Sequence, residues 1–416
     1  MTAPFMPRRT AAIAFILITA LLDVMSMGIV IPVLPQLIEI LSGSDAAAGM
    51  WNGLFVALWA GMQFVCSPLI GSLSDRFGRR PVILISVAGL ALDFVLMALA
   101  PNLWWLALGR ILAGVTSSSF TSTFAYMADI TPPQDRARGY GLIGAAFSAG
   151  FVAGPLIGGL LGEISLRAPF WAAAALSGLA FLYGCFVLPE SLAPAKRMVF
   201  SWRRANPFGA LKLLRSHPEL SSLAVGNFLL YFAHHIFSAI FVLYAGDRYG
   251  WGAWQVGGLL ALVGLMDMGV QGLAVGPVVK RLGDRATMVV GLCFGAIGIA
   301  SMGLASTGWL FVAAMFPNAL WGLAMPTLQS LMTRHVSESE QGQLQGANNS
   351  VGAIAGIISP LFFGAIYSLS VGPRPPLPFI GSAFLIAAAV LAFAALIGWR
   401  AGQQFKPQLD ISGPGD

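Results

Sequence analysis

Twelve apolar runs of about 20 residues each, at 10–33, 51–71, 81–100, 103–126, 139–162, 169–188, 221–246, 254–277, 286–305, 308–332, 343–369 and 377–399, leave this chain few ways to fold. A helix rises about 1.5 Å per residue, so each run can cross a hydrocarbon layer about 30 Å thick. No water reaches that layer, so each segment must satisfy its own backbone N–H and C=O groups, which makes the crossings helical. With 57% hydrophobic and 10% charged residues over 416 positions, a soluble fold has no means of hiding the apolar surface. The reading is an all-α membrane protein of twelve transmembrane helices. Cys66, Cys185 and Cys293 stand singly in apolar runs, which argues against a disulfide framework and a thiolate metal site. The first apolar run, from Ala11, lacks a small-residue cleavage site and reads as a retained helix.

The net charge of +6 sits in short loops, so it speaks of membrane orientation rather than nucleic acid. With the N-terminus inside, the inner loops and tails hold Arg8, Arg9, Arg76, Arg79, Arg80, Arg136, Arg138, Lys280, Arg281, Arg285, Arg334, Arg400 and Lys406. The connection 189–220 adds Lys196, Arg197, Arg203, Arg204, Lys212 and Arg215. The outer loops hold only Arg167, Arg248 and Arg374. That asymmetry predicts cytoplasmic termini. It also marks 189–220 as a cytoplasmic linker between helical bundles at 1–188 and 221–416.

The halves repeat. Gly71 of GSLSDRFGRR and Gly276 of GPVVKRLGDR are 205 residues apart, as are Pro155 of GPLIGG and Pro360 of SPLFFG. Two pseudo-symmetric six-helix bundles with a site between them near mid-membrane are the plan of a secondary transporter. The chain has no Gly-x-x-x-x-Gly-Lys-Ser/Thr sequence, so the energy source is read as an ion gradient. It also has no spacing that suggests a nucleophile–base or metal-ligand constellation, so it is not read as an enzyme. A non-transporting scaffold or sensor is disfavoured by the charged residues inside the apolar runs.

Those charges form one layer. Asp23, Asp93, Arg110, Asp267 and the pair His234-His235 all fall roughly 15–20 Å from the inner face. Asp23 has no evident partner in its own helix and reads as functional. Asp93 and Arg110 lie on a tight hairpin around Pro101-Asn102 and read equally as a structural ion pair or as transport groups. His234 and His235 point about 100° apart, so one of them should face protein or lipid. A carboxylate in a low-dielectric cavity favours carrying a proton. Asp23, Asp93 and Asp267 are therefore the proton-coupling candidates, with His234 or His235 as shuttles.

Two loops and helices carry motifs. In GSLSDRFGRR, Gly71 is expected to permit close helix approach and Gly78 a tight turn. Asp75 can be offset by Arg79, and Arg76, Arg79 and Arg80 favour the inner leaflet. This string resembles the signature loop of the major facilitator superfamily, a cytoplasmic latch joined by the acid that ends helix 4, here Asp129. In the repeat copy Lys280 replaces the Asp and Asp284 the first Arg, which speaks against a charge latch in the second half. In helix 5, Gly150, Gly154, Pro155, Gly158 and Gly159 set small residues along one face. That pattern resembles the antiporter motif of the same superfamily and implies export.

The segments LLDVMSMGIVIPVLPQL, ALWAGMQFVCSPLIGSLSDRFGRRPVILIS, LALGRILAG, AGPLIGGLLGEIS and QGQLQG resemble the tetracycline/proton antiporters of Gram-negative bacteria. The resemblance implies monomeric export of tetracycline, chelated to a divalent cation such as Mg, in exchange for a proton, with no resident cofactor or metal. It implies importance for Asp23, Asp75, Arg79, Asp93, Arg110 and Asp129, and it sets Gln63 and Gln271 near the substrate path, with Asp23, Asp93, Arg110 and His235 as the other substrate-binding candidates. The second half departs. The family's helix 9 acid aligns with Gly295, its helix 8 histidine with Asp267, and His235 stands where glutamine is expected. Either the coupling acid has moved to Asp267 or the substrate differs, as in transport or uptake of another drug, lipid or metabolite.

Overall fold

The computed structural model describes residues 6–116, 119–132, 136–200, 206–209, 211, 213–214, 220–337, 340–372, 375–377 and 379–401. Arg203, Arg204, Lys212, Arg215, Arg374 and Lys406 lie outside the described residues. The first half holds α1 (Met6–Val30), α2 (Leu34–Ser42), α3 (Asp45–Phe77), α4 (Arg79–Leu99), α5 (Leu103–Thr116), α6 (Ser119–Ile130), α7 (Arg136–Ile164) and α8 (Ala168–Val187). The second holds α9 (Ser221–His234), α10 (Ile236–Tyr249), α11 (Ala253–Gly269), α12 (Val275–Leu304), α13 (Gly308–Ala319), α14 (Ala324–Thr333), α15 (Gln341–Ser368) and α16 (Ser382–Ala401). Among the described residues, ten stretches are long and apolar enough to cross a membrane. The 52-residue stretch Ala253–Leu304 is two crossings divided at Gly283, and the shorter apolar Leu103–Thr116 is followed by α6. The expected twelve crossings are thereby accounted for.

Local chemistry sets the ends. Ser44 caps α3 by accepting the Ala47 N–H at 3.1 Å, and Asn102 accepts from Trp104 at 3.1 Å to open α5. Pro68, Pro155, Pro317 and Pro360 lie inside helices, an arrangement that membrane helices tolerate more readily than soluble ones.

Glycines decide how the halves meet. Helices in lipid gain little from burying apolar surface against each other, so close packing of small residues holds them. Gly150 and Gly154 of α7 press on the α1 backbone, where an added Cβ would lie 2.8 Å from the Leu21 carbonyl and 2.6 Å from that of Met25. Gly158 meets the Ile29 carbonyl in the same way. The other face of α7 reaches into the second half. Gly159 lies against the Ala253 carbonyl, and Gly257 of α11 against the Pro155 carbonyl. The repeat makes the matching contact on the opposite side, with Gly53 of α3 against the Pro360 carbonyl of α15. The antiporter motif thus serves two partners, α1 with one face and α11 with the other.

These contacts gather at one end of the molecule, that of Ser44 and Trp251. Ser368 donates to the Ala46 carbonyl there, Asn52 Nδ2 donates to the Ala239 carbonyl at 2.5 Å, and the Glu163 carboxylate accepts the Trp254 N–H at 3.3 Å. All three join one half to the other. At the Arg79 end the same helices stand apart. A Cβ at Gly71 on α3, at Gly141 or Gly144 on α7, at Gly272 just past α11 or at Gly276 in the first turn of α12 would meet nothing within 4 Å. The close approach expected at Gly71 is therefore absent: that glycine faces open space. The core divides accordingly. One cluster runs through both halves, whereas Phe15, Ile83, Tyr126, Ile143 and Leu188 form a separate one at the Arg79 end of the first half.

Replacing Gly154 by valine pushes α1 away from α7 and is expected to cost about 1–3 kcal/mol or more. Gly71→Ala is expected to be neutral for folding. Melting of the detergent-purified chain checks both, and a Gly154 variant as stable as Gly71→Ala would contradict the contact.

Candidate functional site

The polar layer read from the sequence lies where the halves meet and then part. Asp23 is buried on α1, 8% exposed, one residue along from Leu22, whose carbonyl accepts the Ser26 hydroxyl at 2.6 Å. Ser177 of α8 donates to Ser26 Oγ at 3.2 Å, which fixes the rotation of α1. Gly150 of α7 lies against Leu21 and Met25 on either side of Asp23, so the antiporter motif packs at the depth of this carboxylate.

Asp93 and Arg110 are brought together as the hairpin requires. Arg110 Nη2 lies 3.2 Å from Asp93 Oδ2, with the carboxylate fully buried and the arginine side chain 15% exposed. The second donor contact of Arg110 is the Met97 sulfur at 2.7 Å. Gly109 makes the room: a Cβ there would lie 2.6 Å from Asp93 Oδ1. The carboxylate is enclosed between α4 and α5, and the arginine keeps a small exposed surface.

In the second half the helices lose regularity at the level of the polar residues. The seventh crossing is interrupted at His235, between α9 and α10. The eighth passes into a π-helical turn at Val270–Ala274, directly after Asp267, and the tenth into a 3-10 turn at Leu320–Leu323. Such turns inside long helices mark hinges and functional sites. Here they adjoin one another, since Gly322 of the 3-10 turn faces Val270 at 3.3 Å and Gln271 at 3.9 Å from its Cβ position. Gln271 is exposed on the π turn, and Asp267 and Gln63 are half-exposed.

The two histidines diverge as expected of neighbours on a helix. His234 is exposed. Its ring lies tilted against Trp321 at 5.5 Å and edge-on to Phe237 at 6.0 Å. His235 turns to the interface instead. Its Nε2 lies 3.0 Å from the Cβ position of Gly356 on α15, which also faces Ala60 on α3, and its Nδ1 is 3.5 Å from the Ser238 hydroxyl. At the position aligned with the helix 9 acid, Gly295 is filled from outside: a Cβ would lie 2.8 Å from Trp321 Cγ and 3.1 Å from Leu391. Trp321 takes the volume a carboxylate there would need.

At the Arg79 end the loop network is built as its motif suggests. Arg79 pairs with Asp75 at 2.6 Å and with Asp129 at 3.2 Å, and Arg80 donates to the Cys185 carbonyl at 2.8 Å. Arg76 stays outside the network, 5.1 Å over the Phe77 ring. Gly78 has φ +107, and a Cβ there would strike Glu190. Glu190 was not legible as part of the latch. Its carboxylate accepts the Arg79 N–H at 2.9 Å, and Ser191 donates to Asp129 at 3.0 Å. The start of the linker is tied in too, through Met198 N–H to the Asp75 carbonyl at 3.0 Å. The second half corrects the sequence reading: it does hold an ion pair in the equivalent loop, between Asp284 and Arg334.

Among the described residues, one group of carboxylates is close enough to share a cation. Glu39, Asp45 and Asp247 lie within 4.8 Å of one another at the Trp251 end, with Asp45 and Asp247 exposed. Tyr367 donates to Asp247. This cluster is remote from the polar layer, and the sequence separations of its members hide it.

Comparison with known proteins places these features. The model of the Major Facilitator Superfamily matches residues 16–360. The chain is 40% identical over 359 residues to the class C tetracycline resistance protein of Escherichia coli, covering 86% of this chain and 90% of that one. It is 38% identical over 367 residues to the class G tetracycline resistance protein of Vibrio anguillarum, covering 88% and 92%. The crystal structure of the nucleoside transporter NupG superposes with a TM-score of 0.78 at 14% identity, covering 96% of this chain and all of that one, which shows the shared fold. A twelve-helix architecture, an internal repeat and a family model spanning most of the sequence agree, and this multi-pass membrane protein belongs to the Major Facilitator Superfamily of transporters.

Proposed function

We propose that the chain exports a tetracycline-like amphipathic drug, chelated to a divalent cation such as Mg, in exchange for protons by alternating access. The observation that carries this reading is the likeness to tetracycline resistance proteins over most of the chain, in both halves of the repeat. The cation belongs to the cargo, and the working unit is a monomer in a bacterial inner membrane. The excess of basic residues at the Arg79 end supports cytoplasmic termini and linker. In that orientation the glycine contacts close the outer side and the chain is open to the cytoplasm.

The chemistry follows from where charge is tolerated. A carboxylate inside the membrane is costly unless it is paired or protonated. Asp93 is paired with Arg110 and serves as a brace between α4 and α5. Asp23 and Asp267 are the groups that take up and release protons, with His234 as a shuttle. Gln63, Gln271 and His235 contact substrate, where irregular helices can shift as the halves rock. Closure at the Arg79 end would bring Gly71, Gly272 and Gly276 into the close approach they lack in the open form. A second reading, a different amphipathic cargo or uptake in place of export, is supported by one observation: Trp321 fills the site of the helix 9 carboxylate.

Expression in a drug-sensitive bacterium is expected to raise resistance to tetracyclines above that to other amphipathic drugs in a panel, and an unchanged tetracycline profile would refute the cargo. In everted vesicles, substrate should release protons, and Asp23→Asn should abolish gradient-driven transport while membrane insertion persists. Full coupled activity in that variant would remove Asp23 from the cycle. Arg110→Ala strands a buried charge and is expected to cost about 3–5 kcal/mol. Its folded yield in the membrane should fall sharply, and Arg110→Lys should recover part of it.

A further inference from the structure

The 205-residue offset that relates Gly71 to Gly276 and Pro155 to Pro360 also relates the charged positions of the loop network. Asp75 corresponds to Lys280, Arg79 to Asp284, and Asp129 to Arg334. All three charges change sign together. Each half nevertheless closes its ion pair, Arg79 with Asp129 in the first and Arg334 with Asp284 in the second. The backbone repeats as well: Gly78 and Gly283 both have left-handed φ, +107° and +77°. So does the next residue's role. Arg80 donates to the Cys185 carbonyl on α8, and Arg285 donates to the Trp399 carbonyl on α16 and lies 5.5 Å over its ring.

We infer that Lys280, Asp284 and Arg334 are a second latch with reversed polarity, in which the Asp284–Arg334 pair ties the ninth crossing to the tenth and the neighbouring Arg285 ties the ninth to the twelfth, so that the second half moves as one body. The physical requirement at these positions is opposite charge across the loop, whichever side carries which sign. Asp284 is 9% exposed, and a carboxylate so enclosed needs a partner. Decay of an unused motif would lose charges one at a time and leave orphans. What stands here is a complete exchange, down to Lys280 four residues before Asp284, where Asp75 stands four before Arg79. In the first half the Asp75–Arg79 pair closes at 2.6 Å as well, whereas in the second Lys280 is exposed and the closed pair is Asp284 with Arg334.

Charge exchange tests this on the full chain. The melting temperature of the purified protein uses no substrate, so it decides the latch independently of the proposed cargo. Transport in everted vesicles then tests its part in the cycle, which rests on the export reading. Asp284→Arg and Arg334→Asp alone are each expected to lower the melting temperature by a few degrees and transport about ten-fold. The exchange variant Asp284→Arg/Arg334→Asp should recover more than half of each loss, and adding Lys280→Asp should recover more. Should the single reversals fail to accumulate, Asp284→Asn and Arg334→Gln are read by melting in the same way, with Asn/Gln together less harmful than the two effects added. Arg281→Asp, an exposed reversal in the same loop, controls for lost charge at the membrane face and should leave melting unchanged. An exchange variant no better than the worse single reversal, or single reversals as mild as Arg281→Asp, would overturn the inference. Wild-type vesicles that move no drug would defeat the export reading and leave the melting result standing.

Discussion

At Gly158 a methyl group would run into the carbonyl of Ile29, and at Gly257 into that of Pro155. Backbone contact this close is the condition on which the rest of the structure depends. Lipid tails are as apolar as leucine side chains, so the hydrophobic effect cannot press two membrane helices together, and packing of small residues must do so. Because α7 spends one glycine face on α1 and the other on α11, a single helix ties its own half together and also docks that half on the other. The repeat-related contact of Gly53 with Pro360 balances it on the opposite side. With both contacts near the Trp251 end, the halves can part at the other end without breaking either bundle.

The polar layer exploits that geometry. The first half presents Asp23 on a regular helix and neutralises Asp93 with Arg110, so its polar chemistry is held rigidly. The second half is irregular at the same level, with a break at His235, a π turn after Asp267 and a 3-10 turn around Trp321. Regular helices hold their side chains in fixed directions, whereas these turns free backbone groups and allow small shifts. The departure at Gly295 belongs to the same rearrangement. Trp321 packs where a carboxylate would be expected and offers His234 an aromatic neighbour.

The loop networks illustrate how charge logic survives a change of sign. Arg79 between Asp75 and Asp129 reads directly as a motif. Its counterpart looks broken when the positions are compared by residue type, because each charge has been replaced by its opposite. Compared by interaction, the pair between the ninth and tenth crossings is kept, with Asp284 and Arg334 standing where Arg79 and Asp129 stand in the first half. Glu190 shows the complementary difficulty: nothing in its local sequence relates it to Gly78, yet its carboxylate caps the helix that follows and excludes any side chain at that glycine.

Much was therefore decided by the sequence itself. Length and polarity of the apolar runs dictate twelve helical crossings, because backbone polar groups cannot be left bare in lipid. The hairpin at Pro101-Asn102 brings Asp93 to Arg110, since short connections leave helices adjacent and equal spacing from the turn gives equal depth. Periodicity alone separates His234 from His235. What it could not decide depends on contacts between residues far apart in the chain. Which way each histidine faces, that Gly71 meets open space in this form, that Trp321 occupies the room beside Gly295, and that Asp284 finds Arg334 all follow from how the helices pack. Helix periodicity specifies a face, and only the tertiary structure specifies what that face meets.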